Sequence, residues 1–235
     1  MVDSGESGFD DICRSFTWQI PASFNIATAV CDRHRDISHR PALLCETASG
    51  TKVQYSFADL YRLSNQLANV FLSMGVGPGD RIAILLPQRV ETGLCHLAAW
   101  KIGAVSLPLS ALFGTDALRY RLEDSGAKIL VGAAEGVEKV HSLRDELPEL
   151  ETIIDCDDGK SGFWPLLDSA AKNLEAVGTL ADDPAIVIYT SGTTGPPKGA
   201  VLAHRCLLGN LTGFELSQNF FPLEDDLMWT PADWA

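Results

Sequence analysis

Residues 52–87 read KVQYSFADLYRLSNQLANVFLSMGVGPGDRIAILLP, and the way this stretch folds decides the architecture. Ser56 followed by Asp59 has the spacing of a capping box, in which each side chain satisfies a free backbone N–H at a helix start. Leu60, Leu63, Leu67, Val70, Phe71 and Met74 then recur at helical spacing until Gly75, so the sequence predicts an amphipathic helix with both ends marked. VGPGD is a turn. RIAILLP follows as a short apolar run without alternation, which suits a strand covered on both faces.

The same unit recurs downstream. A helical stretch near Val90 to Ile102 leads through Gly103 to AVSLP, and one near Asp116 to Asp124 leads through Gly126 to KILVG. GVEKVHSLRDEL leads in turn to ETIID. Helices alternating with short apolar runs predict an α/β fold with doubly wound, mostly parallel sheets and flanking helices. CDDGKSGFW (156–164) and EAVGTLADDP (175–184) read as loops, and the latter precedes AIVIYTSGTTGPPKGAVLAH. The expected organisation is an N-terminal segment over 1–39, a first α/β lobe over 40–180 and the start of a second lobe over 181–235.

Composition narrows the function. The 235 residues are 46% hydrophobic and 21% charged, enough apolar material for one large α/β domain or two smaller ones. A formal charge of −13 argues against nucleic acid or an anionic membrane as partner, so any phosphate ligand must be held by local donors. The start, MVDSGESGFDDICRSF, lacks the basic region and apolar run of a signal peptide, and no stretch has the length and composition of a membrane span. The expected location is cytoplasmic. Six cysteines without C-x-x-C spacing argue against a disulfide framework or a zinc site, and are expected to be small buried or semi-buried residues.

YTSGTTGPPKGA (189–200) carries the chemistry. Gly192, Gly195 and Gly199 permit positive φ and close backbone approach, so successive N–H groups can converge on a ligand. Thr190, Ser191, Thr193 and Thr194 add hydroxyl donors, and Lys198 adds a mobile positive charge. The set suits a polyphosphate. Pro196 and Pro197 cannot donate, so their role is to hold Lys198 at a fixed distance from the glycines. The usual P-loop requires G-x-x-x-x-G-K-[ST] opening a helix, whereas here two prolines separate Gly195 from Lys198 and GAVLAH reads as a strand. The stretch also lacks the G-x-S-x-G of a nucleophile elbow.

YTSGTTGPPKGA resembles the phosphate-binding signature of the AMP-forming adenylate ligases, the superfamily of acyl-CoA synthetases, luciferases and peptide-synthetase adenylation domains. YSFADL resembles an early element of that family, AAWKIGAVSLPLSALF resembles its K-x-G-A element, and LMWTPADWA resembles the aromatic segment leading into the acid pocket of acyl-CoA synthetases. The resemblance covers about residues 40–235 and implies a two-step reaction. ATP and a carboxylic acid give acyl-AMP and pyrophosphate, and a thiol, usually that of coenzyme A, takes the acyl group. It assigns Thr190, Ser191, Gly192, Thr193, Thr194, Gly195 and Lys198 to the β- and γ-phosphates of ATP, with Mg²⁺ as helper, and Trp229, Thr230, Asp233 and Trp234 to the acid pocket. No catalytic residue is assigned. Because further family elements follow the aromatic segment, the 235 residues are expected to form an N-terminal fragment, inactive alone.

Blander readings stand beside these. The loop could be a structural turn, His96 and His204 structural histidines, DRHRDISHR a solvated helix end, and Trp229 to Trp234 an aromatic strand end in the core. Other functions remain open as well: a non-catalytic nucleotide-binding remnant, an adenylation domain loading a carrier-protein thiol, or a conventional P-loop enzyme. The identity of the acid and the oligomeric state are not legible.

Overall fold

The computed structural model describes residues 8–37, 39–46, 49–191, 195–223, 226–230, 232 and 234. Two short helices come first, α1 (Phe9–Ser15) and α2 (Ile26–Val30), then a 3₁₀ turn over Asp32–Ile37. β1 (Pro41–Glu46) and β2 (Lys52–Ser56) pair as an antiparallel hairpin that the helical and buried-strand patterns did not signal. α3 (Phe57–Ser73) begins at Ser56 with both halves of the capping box present. Beyond it lie β3 (Arg81–Leu85), α4 (Val90–Lys101), β4 (Val105–Pro108), α5 (Thr115–Ser125), β5 (Ile129–Gly132), α6 (Ala134–His141), β6 (Thr152–Asp155) and α7 (Phe163–Ser169). β7 (Pro184–Thr190), β8 (Lys198–Ala203) and α8 (Cys206–Ser217) complete the order.

Six strands form one sheet in the order β6-β5-β3-β4-β7-β8, parallel except for the β7–β8 pair. The apolar runs explain why. Ile82, Ala83, Ile84 and Leu85 of β3 are each at most 1% exposed, because helices cover both faces. Leu67, Phe71, Leu94 and Ala98 of α3 and α4 meet Ile82 and Ile84 on one face. On the other face Leu118 and Leu122 of α5 and Val137 and Val140 of α6 meet Ala83, Leu85 and Leu107.

The division expected between 180 and 181 does not interrupt the sheet. β7 pairs in parallel with β4, and Ala185 O accepts from Trp100 Nε1 at 2.7 Å and from Ser106 Oγ at 3.2 Å. The N-terminal segment is also docked, since Asn25 Nδ2 donates to Trp100 O at 2.7 Å and Ser23 bridges to Leu180.

The K-x-G-A element has an architectural explanation here. Lys101 is fully buried, and its Nζ lies 2.7 Å from Asp32 Oδ1 and 2.6 Å from Asn65 Oδ1. Gly103 adopts φ +72°, and a Cβ there would sit 3.3 Å from both Pro78 and Val177. DRHRDISHR is therefore more than a solvated helix end, because a lysine on α4 draws Asp32 inward; the side chain of Asp32 is 14% exposed. All six cysteines are free, but Cys13 is exposed, contrary to the expectation that all would be buried or semi-buried. α1 leaves it facing water because its neighbours Asp10, Asp11 and Arg14 are exposed as well. Among the described residues no helix is long and apolar enough to cross a membrane.

Candidate functional site

β7 and β8 form a hairpin whose register sets Thr190 opposite Lys198, Tyr189 opposite Gly199 and Ile188 opposite Ala200. Directly opposed residues share a face of a sheet and successive residues alternate, so Thr190 and Lys198 project together, away from the face carrying Tyr189. Both are exposed, as is Ser191. Gly195 adopts φ +93°, a left-handed conformation at the turn into Pro196 and Pro197. The two prolines lead straight into β8, whose first residue is Lys198. Gly192, Thr193 and Thr194 lie outside the described residues. Thr190, Ser191, Gly195 and Lys198 therefore gather at one hairpin neck, at the end of the sheet where the parallel strands finish and where open α/β sheets bind ligands.

The opposite face of the hairpin is fastened to α5. Tyr189 Oη donates to Asp124 Oδ2 at 2.5 Å, and Tyr120 Oη donates to Pro197 O at 3.0 Å. The rings of Tyr120 and Tyr189 meet edge to face with centroids 6.4 Å apart, and the Arg121 guanidinium lies 4.1 Å from the Phe113 ring centroid beside them. Burial, with the nearby Asp124 carboxylate second, holds the Tyr189 hydroxyl well above the usual phenol range, so it stays a donor. Gly199 leaves room for this ring, since an added Cβ would lie 3.1 Å from Val187 Cγ1 and 3.3 Å from Tyr189 Cζ. The sequence reading missed Tyr120, Asp124 and Tyr189. Tyr120 and Asp124 sit one helical turn apart, which places them on one face of α5 without showing what that face meets.

The aromatic segment is placed elsewhere. Among its described residues, 227–230, 232 and 234, none forms helix or strand, and Trp229 is 81% exposed, so it is not a core strand end. Among the described residues no opposing layer covers it. Thr230 and Trp234 are half-buried, and Asp233 lies outside the described residues. Gln88 Nε2, just beyond β3, donates to Ala232 O, and the backbone of Trp234 lies against His96 on α4. Among the described residues no hydrogen bond or ring contact joins this segment to the hairpin neck, so the two candidate sets are not brought together.

Both discussed histidines sit against other side chains and backbone of the fold. His204 is fully buried, and its Nδ1 accepts the Ile26 N–H at 3.2 Å. It precedes α8 rather than opening it. Burial lowers the pKa of His96 to about 4, against the opposing pull of the Trp234 backbone, so it is a neutral ring stacked 5.3 Å from Trp100.

Among the described residues no group of three or more His, Cys, Asp or Glu side chains is placed to hold a metal ion. Backbone N–H groups and an ammonium are donors with no lone pair for a metal, and the hydroxyls can donate to phosphate oxygens. The neck is thus suited to an anion.

Comparison with known proteins bears on the family of the whole chain. A mitochondrial acyl-coenzyme A synthetase of Rattus norvegicus is 32% identical over 227 residues, covering 91% of this chain and 39% of that protein. A long-chain-fatty-acid–CoA ligase of Mycobacterium tuberculosis is 33% identical over 164 residues, covering 70% of this chain and 32% of that protein. Among solved structures, an acyl-CoA synthetase of Brucella canis superposes with a TM-score of 0.84 at 26% identity, covering 96% of this chain and 43% of that one. The chain thus spans between about a third and two fifths of the length of such relatives. Since the family model described as AMP-binding enzyme matches residues 32–235, the chain belongs to that family.

Proposed function

We propose that this chain contributes the triphosphate grip of an AMP-forming acid–coenzyme A ligase. The observation that carries the reading is the hairpin neck, where Lys198 stands opposite Thr190 across a loop rich in glycine and hydroxyls, on a frame fixed from behind. In such a reaction the carboxylate attacks the α-phosphorus of ATP, the bond to the bridging oxygen breaks, and negative charge builds on departing pyrophosphate. Donors already in place where that charge develops stabilise the transition state without reorganising. Thr190, Ser191, Gly192, Thr193, Thr194 and Gly195 would supply hydroxyl and N–H donors to the β- and γ-phosphates, and Lys198 a mobile charge. Mg²⁺ enters as MgATP, as part of the substrate. Coenzyme A then accepts the acyl group. The names of the relatives support coenzyme A over a carrier-protein thiol as acceptor. Six free thiols fit a reducing compartment such as the cytoplasm. Trp229, Thr230, Asp233 and Trp234 remain the candidates for the acid pocket.

The test is MgATP binding by calorimetry, with AMP as the reference ligand. Lys198→Ala removes a charge-assisted contact of about 1.5–3 kcal/mol, so MgATP should bind roughly tenfold to a hundredfold more weakly while AMP is little affected. Equal affinity of variant and parent for MgATP would sink the assignment. The reading also assigns the 235 residues a grip without the groups that align acid and α-phosphorus, and alignment supplies on the order of 7–11 kcal/mol. Acid-dependent pyrophosphate release by these residues alone should accordingly stay below the ordinary enzyme range of about 1–1000 per second.

A further inference from the structure

The hairpin neck is positioned by side chains that the sequence signature does not contain. Within residues 195–197, Pro196 and Pro197 offer no N–H to a neighbouring strand, and β8 pairing begins at Lys198. The segment just before Lys198 therefore depends on another tie. Tyr120 supplies one through its hydrogen bond to Pro197 O, the carbonyl of the peptide that carries Lys198. On the other strand Tyr189, one residue before Thr190, is held by Asp124. Both ties come from one face of α5, four residues apart, and α5 is anchored in the core by Leu118 at 0% exposure and Leu122 at 2%. The ladder sets the spacing of the two strands, and the two ties to one rigid helix set how the hairpin end, with the two side chains on its far face, is oriented on the sheet.

We infer that Tyr120 and the Tyr189–Asp124 pair are positioning residues that fix the orientation of the hairpin end presenting Lys198 and Thr190, so that affinity for the terminal phosphates depends on hydroxyls that never touch the nucleotide. The inference rests on the phosphate role given to the hairpin above. Without the Tyr120 hydroxyl the peptide before Lys198 can rotate about the proline segment, and the ammonium samples positions that miss the phosphates. Tyr120 contributes nothing to a ligand that lacks those phosphates.

The test compares the 235-residue chain with its Tyr120→Phe, Tyr189→Phe, Lys198→Ala and Tyr120→Phe/Lys198→Ala variants, titrated with MgATP and with AMP. Losing the neutral hydrogen bond of Tyr120 should weaken MgATP binding about twofold to tenfold, and losing the bond of Tyr189 to the Asp124 carboxylate should weaken it by at least as much. AMP binding should stay within about twofold, an outcome that a general loss of folding would not give. Because Tyr120 acts through Lys198, the double variant should lose clearly less than the product of the two single losses. Parallel weakening of MgATP and AMP, full additivity, or unchanged MgATP affinity in both tyrosine variants would overturn the positioning role while a strong Lys198→Ala effect left the phosphate grip standing. No effect of Lys198→Ala, or no MgATP binding by the parent chain, would overturn the grip itself and the positioning role with it.

Discussion

Lys101 and Lys198 both lie in segments that resemble family elements, yet their surroundings are opposite. Lys101, the last residue of α4, is fully buried against Asp32, Asn65 and the Tyr61 ring, whose centroid is 4.5 Å from its ammonium. Lys198 opens β8 and is exposed, and its ammonium makes no hydrogen bond or ion pair with any described residue. A buried charge must be neutralised and hydrogen-bonded where it stands, so its partners leave nothing for a ligand. An exposed charge on a fixed frame stays available at small cost. Lysine in a motif therefore marks chemistry in one case and architecture in the other, and burial separates them.

The largest break of this comparison comes at the buried end. Lys101→Met keeps most of the volume but leaves the Asp32 carboxylate facing a site built for an ammonium. Loss of one partner of a buried pair costs about 3–5 kcal/mol. Denaturant unfolding should show a drop of that size, and adding Asp32→Asn should restore a large part of it. A loss under about 1 kcal/mol for Lys101→Met would mean that the ion pair is solvated and the contrast with Lys198 is false.

His96 sharpens the comparison from the same helix, because it is a half-buried titratable group that desolvation, not an opposite charge, keeps neutral. Burial depresses its folded pKa from 6.5 to about 4. The unfolded chain then binds the proton more readily than the folded one. The neutral ring's contribution is fully present above about pH 6.5 and is lost as pH falls toward about 4, to the extent of about 3 kcal/mol. His204, lowered by burial as well, acts in the same direction. Stability measured from pH 7 to 4 should fall less steeply in His96→Gln than in the parent chain. Matching slopes would show that His96 titrates normally in the folded state.

What could be read from the sequence follows the same physical line. α3 was legible because the Ser56–Asp59 box, the apolar stripe and Gly75 are local signals, and β3 because five apolar residues in a row need cover on both faces. Thr190, Ser191, Gly195 and Lys198 were legible as a group because they share one turn. Asp32 was not, since nothing within DRHRDISHR reveals a lysine arriving from residue 101. Tyr120 and Asp124 were hidden for the same reason, as their partners lie 77 and 65 residues away. The exposure of Trp229 escaped because an apolar string reads alike whether or not an opposing layer exists to cover it.

The smallest expected effect is the most discriminating. Lys198→Ala removes an exposed side chain that no described residue engages, at the first residue of β8, where the backbone pairing to Thr190 does not need the side chain. Surface substitutions of this kind usually change stability by no more than about 0.5 kcal/mol. Charge adds a small cost, because at a formal −13 the loss of one positive charge increases self-repulsion, an effect that salt screens over about 10 Å at 0.1 M. Unfolding in moderate salt should therefore place variant and parent within that margin, even as MgATP affinity falls by a factor of ten or more. A residue that holds its own fold cannot give that split. If Lys198→Ala instead lowered stability by an amount comparable with Lys101→Met, the hairpin neck would be a second structural lysine site, and the loss of nucleotide affinity would report unfolding rather than a lost phosphate contact.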